Sequence, residues 1–186
     1  MNETIQTILS RRSVRSYEKR PVESEKITTI MECAQYAPSA RNLQPWHFTV
    51  ITNRALLDKI SAANKKVMLA SPDEMPRKMA ADPNFDSFRG APMAVIASGR
   101  SDAEYAMADC ANAIENMALA ACSLGLGSCY LGSFKICLES PAGAELLNEL
   151  QIPDGYKPIL ALAIGYSSES LGERAARREN AITYFG

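Results

Sequence analysis

A basic segment near the start of the sequence has the residue types that bind phosphate. Arg11, Arg12 and Arg15 surround Ser13, and guanidinium and hydroxyl groups match the oxygens of a phosphate in geometry and charge. A chain of formal net charge −1 has no general need for such a cluster, so a local anionic ligand is one explanation. A solvated basic face and a nucleic-acid patch are the alternatives, because basic runs are common.

Two later segments have side chains that complement this basic segment (residues 11–15). The central loop (residues 38–44) offers hydroxyl and amide groups that can hydrogen-bond to the edge of a planar heterocycle, namely Ser39, Asn42 and Gln44. The C-terminal tail (residues 167–186) is basic again at Arg174, Arg177 and Arg178. A ligand with a phosphate at one end and a heterocycle at the other, such as a nucleotide or a flavin, would use all three segments.

The composition of the chain narrows its class. Its 186 residues predict one domain, and 20 Lys and Arg against 21 Asp and Glu argue against a dedicated nucleic-acid binder. The sequence has neither an apolar run as long as a membrane span nor a secretory signal, which predicts a cytoplasmic protein. The five cysteines lack Cys-x-x-Cys spacing and His47 is the single histidine, so we expect reduced thiols and no metal site.

Alternating helix and strand patterns predict an α/β chain with helices packed on one sheet. Helices are expected over about 2–9, after Pro21, after the Asn53 cap, over 105–124 and after Ser140. Strands are expected over 45–52, 91–98, 128–132 and 157–165. Between residues 71 and 90 the periodicity is interrupted by prolines, which predicts a mobile loop or lid. The aromatic end of the C-terminal tail is expected to dock, with a second subunit as one candidate.

In this order and at these spacings, the segments resemble the FMN-dependent nitroreductase family over nearly the whole chain. The motifs that carry the resemblance are Arg-Arg-Ser-x-Arg at 11–15, Ala-Pro-Ser-x-x-Asn-x-Gln-Pro-Trp at 37–46, Gly-Ala-Pro at 90–92, Leu-Gly-Leu-Gly-Ser-Cys at 124–129 and the basic tail. The tail departs from the family pattern, because Ala175 and Ala176 separate its arginines.

The resemblance implies a single nitroreductase-like FMN-binding domain over residues 1–186. Its central sheet would be mixed and mainly antiparallel, flanked by helices, in an intertwined homodimer with two FMN sites at the interface. The phosphate, ribityl chain and pyrimidine edge of FMN would be held by Arg11, Arg12, Ser13 and Arg15. The partner subunit would supply Pro38, Ser39 and Asn42, together with Gln44. The strand Ser128, Cys129, Tyr130, Leu131 and Gly132 would lie along the flavin ring, and Arg177 would close on the phosphate, supported by Arg174 or Arg178.

The function implied by the resemblance is transfer of electrons from NADH or NADPH, through FMN, to small planar acceptors such as nitroaromatics or quinones. The flavin would carry the chemistry, so no side chain is assigned as catalytic. The alternatives are other flavin chemistry on the same fold, namely reductive dehalogenation, flavin fragmentation or azoline oxidation, and a non-enzymatic FMN carrier or sensor. His47, Trp46 and Cys129 are predicted to be packed side chains, and Arg41 either gates the pocket, binds an anionic substrate or is solvated.

Overall fold

Helices and strands alternate along the chain, as the sequence predicts. The computed structural model describes residues 1–186 except the side chain of Ala142. The α-helices are α1 (Glu3–Ser10), α2 (Ser24–Gln35), α3 (Arg54–Leu69), α4 (Glu74–Ala80), α5 (Ala106–Ser123) and α6 (Ala144–Glu149). The strands are β1 (Trp46–Ile51), β2 (Met93–Arg100), β3 (Gly127–Leu131) and β4 (Tyr156–Gly165). Short 3-10 turns span Ala40–Asn42, Ser133–Lys135 and Pro141–Gly143.

The four strands form one sheet in the order β1-β2-β4-β3. Each pair of neighbouring strands is antiparallel, and a parallel bridge joins Ser13 to Ser128 at the edge formed by β3. The expected mixed, mainly antiparallel sheet is therefore confirmed, with the parallel contact confined to that bridge.

The central strand β2 is buried on both faces and divides the core in two. Ala94 and Ile96 pack with α3 and the 3-10 turn at residues 133–135 on one face. Val95 and Ala97 pack with α2 and α5 on the other. A strand that is covered on both faces has a nearly continuous run of apolar residues. This run is why β2 could be predicted from the sequence.

The longest helix, α5, forms most of the second core layer. Ile114 and Met117 on it are fully buried, and burial of each such side chain is worth about 1.5–3 kcal/mol. The helix ends before Gly125, whose φ of +75° provides the left-handed stop that the sequence predicts. Because α5 passes behind the whole sheet, it can hold several distant segments.

The region from residue 71 to 90 differs from the predicted loop or lid. It contains α4, and Pro76 lies in the first turn of that helix, where a missing backbone N–H breaks no helical hydrogen bond. The turn that follows is anchored, since the buried Asn64 donates to Ser87 Oγ at 3.0 Å. Asp86 also accepts from Gly90 N and pairs with Arg54, which holds the chain where it enters β2.

Along the described chain, no helix is both long enough and apolar enough to cross a membrane.

Candidate functional site

The basic segment lies against the edge strand β3. Val14 N–H donates to Ser128 O at 2.9 Å, and Val14 is buried. This approach requires a glycine at 127, because a Cβ there would lie 2.6 Å from Val14 Cγ2. Alternation along the extended segment then places Val14 in the core and leaves Arg15 exposed beside it.

The C-terminal tail runs back to the same place. Arg12 Nη1 donates to Gly172 O at 2.9 Å, and Arg174 Nη2 donates to Arg11 O at 3.0 Å. Three of the predicted phosphate-binding arginines are therefore gathered from segments about 160 residues apart. Arg177 instead donates to the nearby Ala175 O, so the structure places Arg174 closer to the basic segment.

Three of the four predicted flavin-side residues in strand β3 are buried. Ser128, Cys129 and Leu131 are buried, whereas Tyr130 is exposed. The next residue, Gly132, has open space where a side chain would project. The main chain at this end of β3 can therefore be approached closely by a planar ligand.

Charges of both signs surround Cys129, from Arg15, Arg89 and Glu169. Burial raises the pKa of the Cys129 thiol, and the charges of Arg15 and Arg89 lower it in part. Burial also raises the pKa of the neighbouring Tyr17, whose hydroxyl donates to Val14 O at 2.7 Å. Both groups therefore stay protonated at neutral pH, and Tyr17 serves to hold the basic segment.

The central loop has a compact conformation that its own hydrogen bonds stabilise. Arg41, Asn42 and Gln44 all have left-handed backbone conformations, with φ of 54°, 55° and 46°. Gln44 N donates to Ser39 Oγ at 3.0 Å and Gln44 Nε2 donates to Asn42 Oδ1 at 3.1 Å. The Ser39 hydroxyl hydrogen and the Asn42 amide hydrogens remain as donors for a ligand.

Within one chain, the central loop and the basic segment contact different parts of α5. Ala40 N–H donates to Asp109 Oδ1 near the start of the helix, whereas Arg11 Nε pairs with Glu115 Oε1 at 3.6 Å in its middle. Ser10, which precedes the basic segment, lies 3.8 Å from Cys122 Sγ near the end of the helix. At 1.5 Å rise per residue, Asp109 and Glu115 are about 9 Å apart along the helix, and Asp109 and Cys122 are about 20 Å apart. The structure therefore brings the basic segment, β3 and Arg174 together. Among the described residues, no hydrogen bond or ion pair joins Pro38, Ser39, Asn42 or Gln44 to them.

Three residues near these segments were missed by the sequence analysis. Glu169 Oε1 accepts from Arg15 N at 2.5 Å and from Ser16 N at 3.2 Å. Asp109 holds the central loop, and Arg89 adds positive charge beside Cys129. A carboxylate on the mainly small and apolar α5 was a usable signal for Asp109, although Glu115 on the same helix gives the same signal. Glu169 gave none, because it lies in a polar tail.

The three residues predicted to be packed side chains, Cys129, Trp46 and His47, are all buried or half-buried. Cys129 is buried, as predicted. Trp46 and His47 are half-buried: Trp46 stacks on Phe48 with 5.9 Å between ring centroids, and His47 meets Tyr156 edge-on at 6.2 Å. These contacts agree with packing roles. Among the described residues, no group of three or more His, Cys, Asp or Glu side chains is placed to hold a metal ion.

The end of the C-terminal tail does not dock on its own chain. Tyr184 is 86% exposed and Phe185 is 96% exposed. Ile8 and Leu9 on α1 are also exposed. Large apolar side chains grouped in this way are typical of interaction surfaces.

Comparison with known proteins agrees with this geometry. Residues 8–166 match the model of the Nitroreductase family. A nitroreductase from Bacteroides fragilis NCTC 9343, solved with bound FMN, superposes with a TM-score of 0.94 at 32% identity, covering 100% of both chains. The FMN reductase (NADPH) of Bacillus subtilis is 25% identical over 98% of this chain and 73% of its own length. The nitrobenzene nitroreductase of Ectopseudomonas oleovorans is 27% identical, covering 89% of this chain and 87% of its own.

Proposed function

Because the chain belongs to the nitroreductase family, we propose that it is an FMN-dependent oxidoreductase that uses NADH or NADPH to reduce small planar acceptors. The observation that carries this proposal is the gathering of Arg12 and Arg174 beside β3 from opposite ends of the sequence. Nitroaromatics and quinones are the acceptor classes we propose. Relatives named for FMN reduction with NADPH and for nitrobenzene support this choice.

The residues around β3 fit FMN. Four guanidinium groups and the Ser13 hydroxyl form a donor set suited to a phosphate and a polyol chain, and the open space at Gly132 leaves room for a flat ring. When bound, FMN supplies the redox chemistry, and the protein supplies position, electrostatics and access.

Different arginines would contact different parts of FMN. Arg11, Arg12 and Arg174 would hold the phosphate, because hydrogen bonds from Arg12 to Gly172 O and from Arg174 to Arg11 O hold the basic segment and the tail together. Arg15 lies on the Cys129 side of the cluster, close enough to affect the pKa of that thiol. A fixed cation there would stabilise negative charge at the ring end of the ligand.

We propose that a second copy of the chain completes the site with Pro38, Ser39, Asn42 and Gln44. The contacts within one chain support this, since the central loop and the basic segment meet α5 at different turns, at Asp109 and at Glu115, and among the described residues no hydrogen bond joins them. The exposed Leu9, Tyr184 and Phe185 would be covered in such a homodimer. Donor and acceptor would then occupy the same open ring face in turn, which is a ping-pong scheme.

The test is the visible spectrum of the purified protein, followed by anaerobic addition of NADH or NADPH. We expect two flavin absorption bands that bleach with the nucleotide and return when nitrobenzene or a quinone is added. Heat-released flavin should co-chromatograph with FMN, and sedimentation should give twice the mass of the 20.3 kDa chain.

Two results would contradict the proposal at different points. Bands that persist with both nucleotides would exclude the NAD(P)H reductase and favour a flavin carrier. Failure to bind added FMN would refute the assignment of the arginine cluster.

A further inference from the structure

The central loop holds a backbone conformation that its sequence does not favour. Arg41, Asn42 and Gln44 have φ values of 54°, 55° and 46°, a region that residues other than glycine seldom adopt. Such conformations persist only where surrounding contacts fix them, and they cluster at ligand sites. The contacts that fix this loop therefore decide whether its ligand-binding groups are correctly placed.

Two side chains of α5 provide those contacts. Asp109 Oδ1 accepts from Ala40 N at 3.0 Å, and one helical turn later Asn112 Nδ2 donates to Pro38 O at 3.2 Å. They bracket Ser39 by fixing the residues on either side of it. Further along the chain, Arg100 N donates to Pro45 O at 2.8 Å, which fixes the exit of the loop into β1.

Asp109 is the more unusual of the two anchors, because it is only 4% exposed. A buried carboxylate is costly unless it is hydrogen-bonded. Among the described residues, Asp109 has no cationic partner within 4 Å, and the hydrogen bond its carboxylate accepts comes from Ala40 N. A bond to a charged acceptor is stronger than one between neutral groups, so this carboxylate is well suited to hold the loop.

We infer that Asp109 is a positioning residue that fastens the central loop of one subunit in the conformation that contacts FMN in the other subunit. This inference rests on the proposed function, since it takes the central loop to be part of a flavin site. Asp109 itself does not touch the flavin; it acts through Ala40 and the neighbouring Ser39 and Asn42.

The first test compares three variants by FMN titration of the apoprotein and by apoprotein unfolding. Asp109→Ala removes the acceptor and should weaken FMN binding about tenfold or more. Asp109→Asn keeps an oxygen acceptor but loses its charge, so its FMN affinity should fall between those of the parent protein and Asp109→Ala. Asn116→Ala is the matched control: Asn116 also lies on α5 and donates at 3.0 Å, but to Cys33 O rather than to the loop. It should lower the unfolding midpoint with FMN affinity unchanged.

A second test asks which site the loop serves. A mixed dimer of one Arg12→Ala subunit and one Asp109→Ala subunit, isolated with two different tags, concentrates both defects in one site if the loop acts across the interface. Half of its sites should then bind FMN with the affinity of the parent protein. If the loop acted within its own chain, both sites would be weakened.

The outcomes separate this inference from the proposed function. A parent protein that binds no FMN overturns the proposed function. A parent protein that binds FMN, with Asp109→Ala indistinguishable from Asn116→Ala, overturns the role of Asp109 alone. An Asp109→Asn protein as weak as Asp109→Ala overturns the hydrogen bond as the reason.

Discussion

The basic segment and the central loop are the two halves of the proposed flavin site, and different contacts hold them. The basic segment lies against β3 through its main chain, with Val14 N–H 2.9 Å from Ser128 O and no side chain at Gly127 to obstruct it. The central loop is fastened by side chains of α5, with Asp109 the buried one.

This difference has a consequence for how substitutions act. Main-chain pairing depends little on side-chain identity, so the side chains of Arg12 and Arg15 are available for the ligand, whereas Arg11 pairs with Glu115 at 3.6 Å. A substitution there should change binding with little change in folding. In the central loop, hydrogen bonds among Ser39, Asn42 and Gln44 stabilise the loop conformation. Substitutions there should therefore act through conformation.

The largest expected effect is at Arg12. Its guanidinium contacts the tail through one exposed hydrogen bond to Gly172 O, which is worth little to stability. Removal of two charge-assisted bonds to a phosphate costs about 3 kcal/mol. Arg12→Ala should therefore weaken FMN binding about a hundredfold while the unfolding midpoint of the apoprotein barely moves.

Lys78→Ala is the matched charge control for Arg12, because Lys78 lies on α4 outside the proposed site. It removes the same charge and should leave FMN affinity as it is. If Arg12→Ala retains its flavin through dialysis, the basic segment does not hold the phosphate.

A smaller effect on FMN binding is expected from a substitution at Gly127. It would displace the basic segment from β3 without removing any of its charges. A Cβ at this position would lie 2.6 Å from Val14 Cγ2 and 2.8 Å from Val14 Cβ, and valine is too stiff to turn away. Gly127→Ala should destabilise the apoprotein by about 1–3 kcal/mol. It should also weaken FMN binding about tenfold, because Arg12 and Arg15 move with Val14.

The comparison variant for folding is Gly132→Ala at the other end of β3. A Cβ there meets no atom within 4 Å, so the apoprotein should unfold at the same denaturant concentration as the parent. Equal unfolding midpoints for the two alanine variants would contradict the close approach of Val14 to β3.

The fold was largely predictable because its elements have strong local signals. Asn53 caps α3 by accepting from Ala55 N and Leu56 N, Gly125 ends α5, and the apolar run of β2 marks a strand buried on both faces. α4 was missed because Pro76 was interpreted as an interruption, although the first turn of a helix tolerates proline.

The candidate site was less predictable because its geometry depends on contacts between distant residues. Local patterns identified the basic segment and the central loop, but the bond from Ala40 to Asp109 spans 69 residues. The resemblance implied that Arg177 closes on the phosphate, whereas the structure brings Arg174 to Arg11 and leaves Arg177 at Ala175. Which of the two arginines closes on the phosphate stays a prediction, because it depends on how the tail packs, and the tail sequence has no periodicity from which packing can be predicted.

The smallest expected effect on FMN affinity is at Arg41, where two substitutions distinguish the backbone conformation of the central loop from its charge. Arg41→Gly and Arg41→Val remove the same guanidinium, but at a φ of 54° glycine is unstrained and a β-branched residue is strongly disfavoured. If the loop binds FMN through its shape, the valine variant should bind about fivefold more weakly than the glycine variant, which corresponds to about 1 kcal/mol of backbone strain. FMN titration of the two apoproteins measures the ratio directly. Equal weakening of both variants would assign the effect to the charge of Arg41, and equal, unchanged affinity would mean that the left-handed turn contributes nothing to the site.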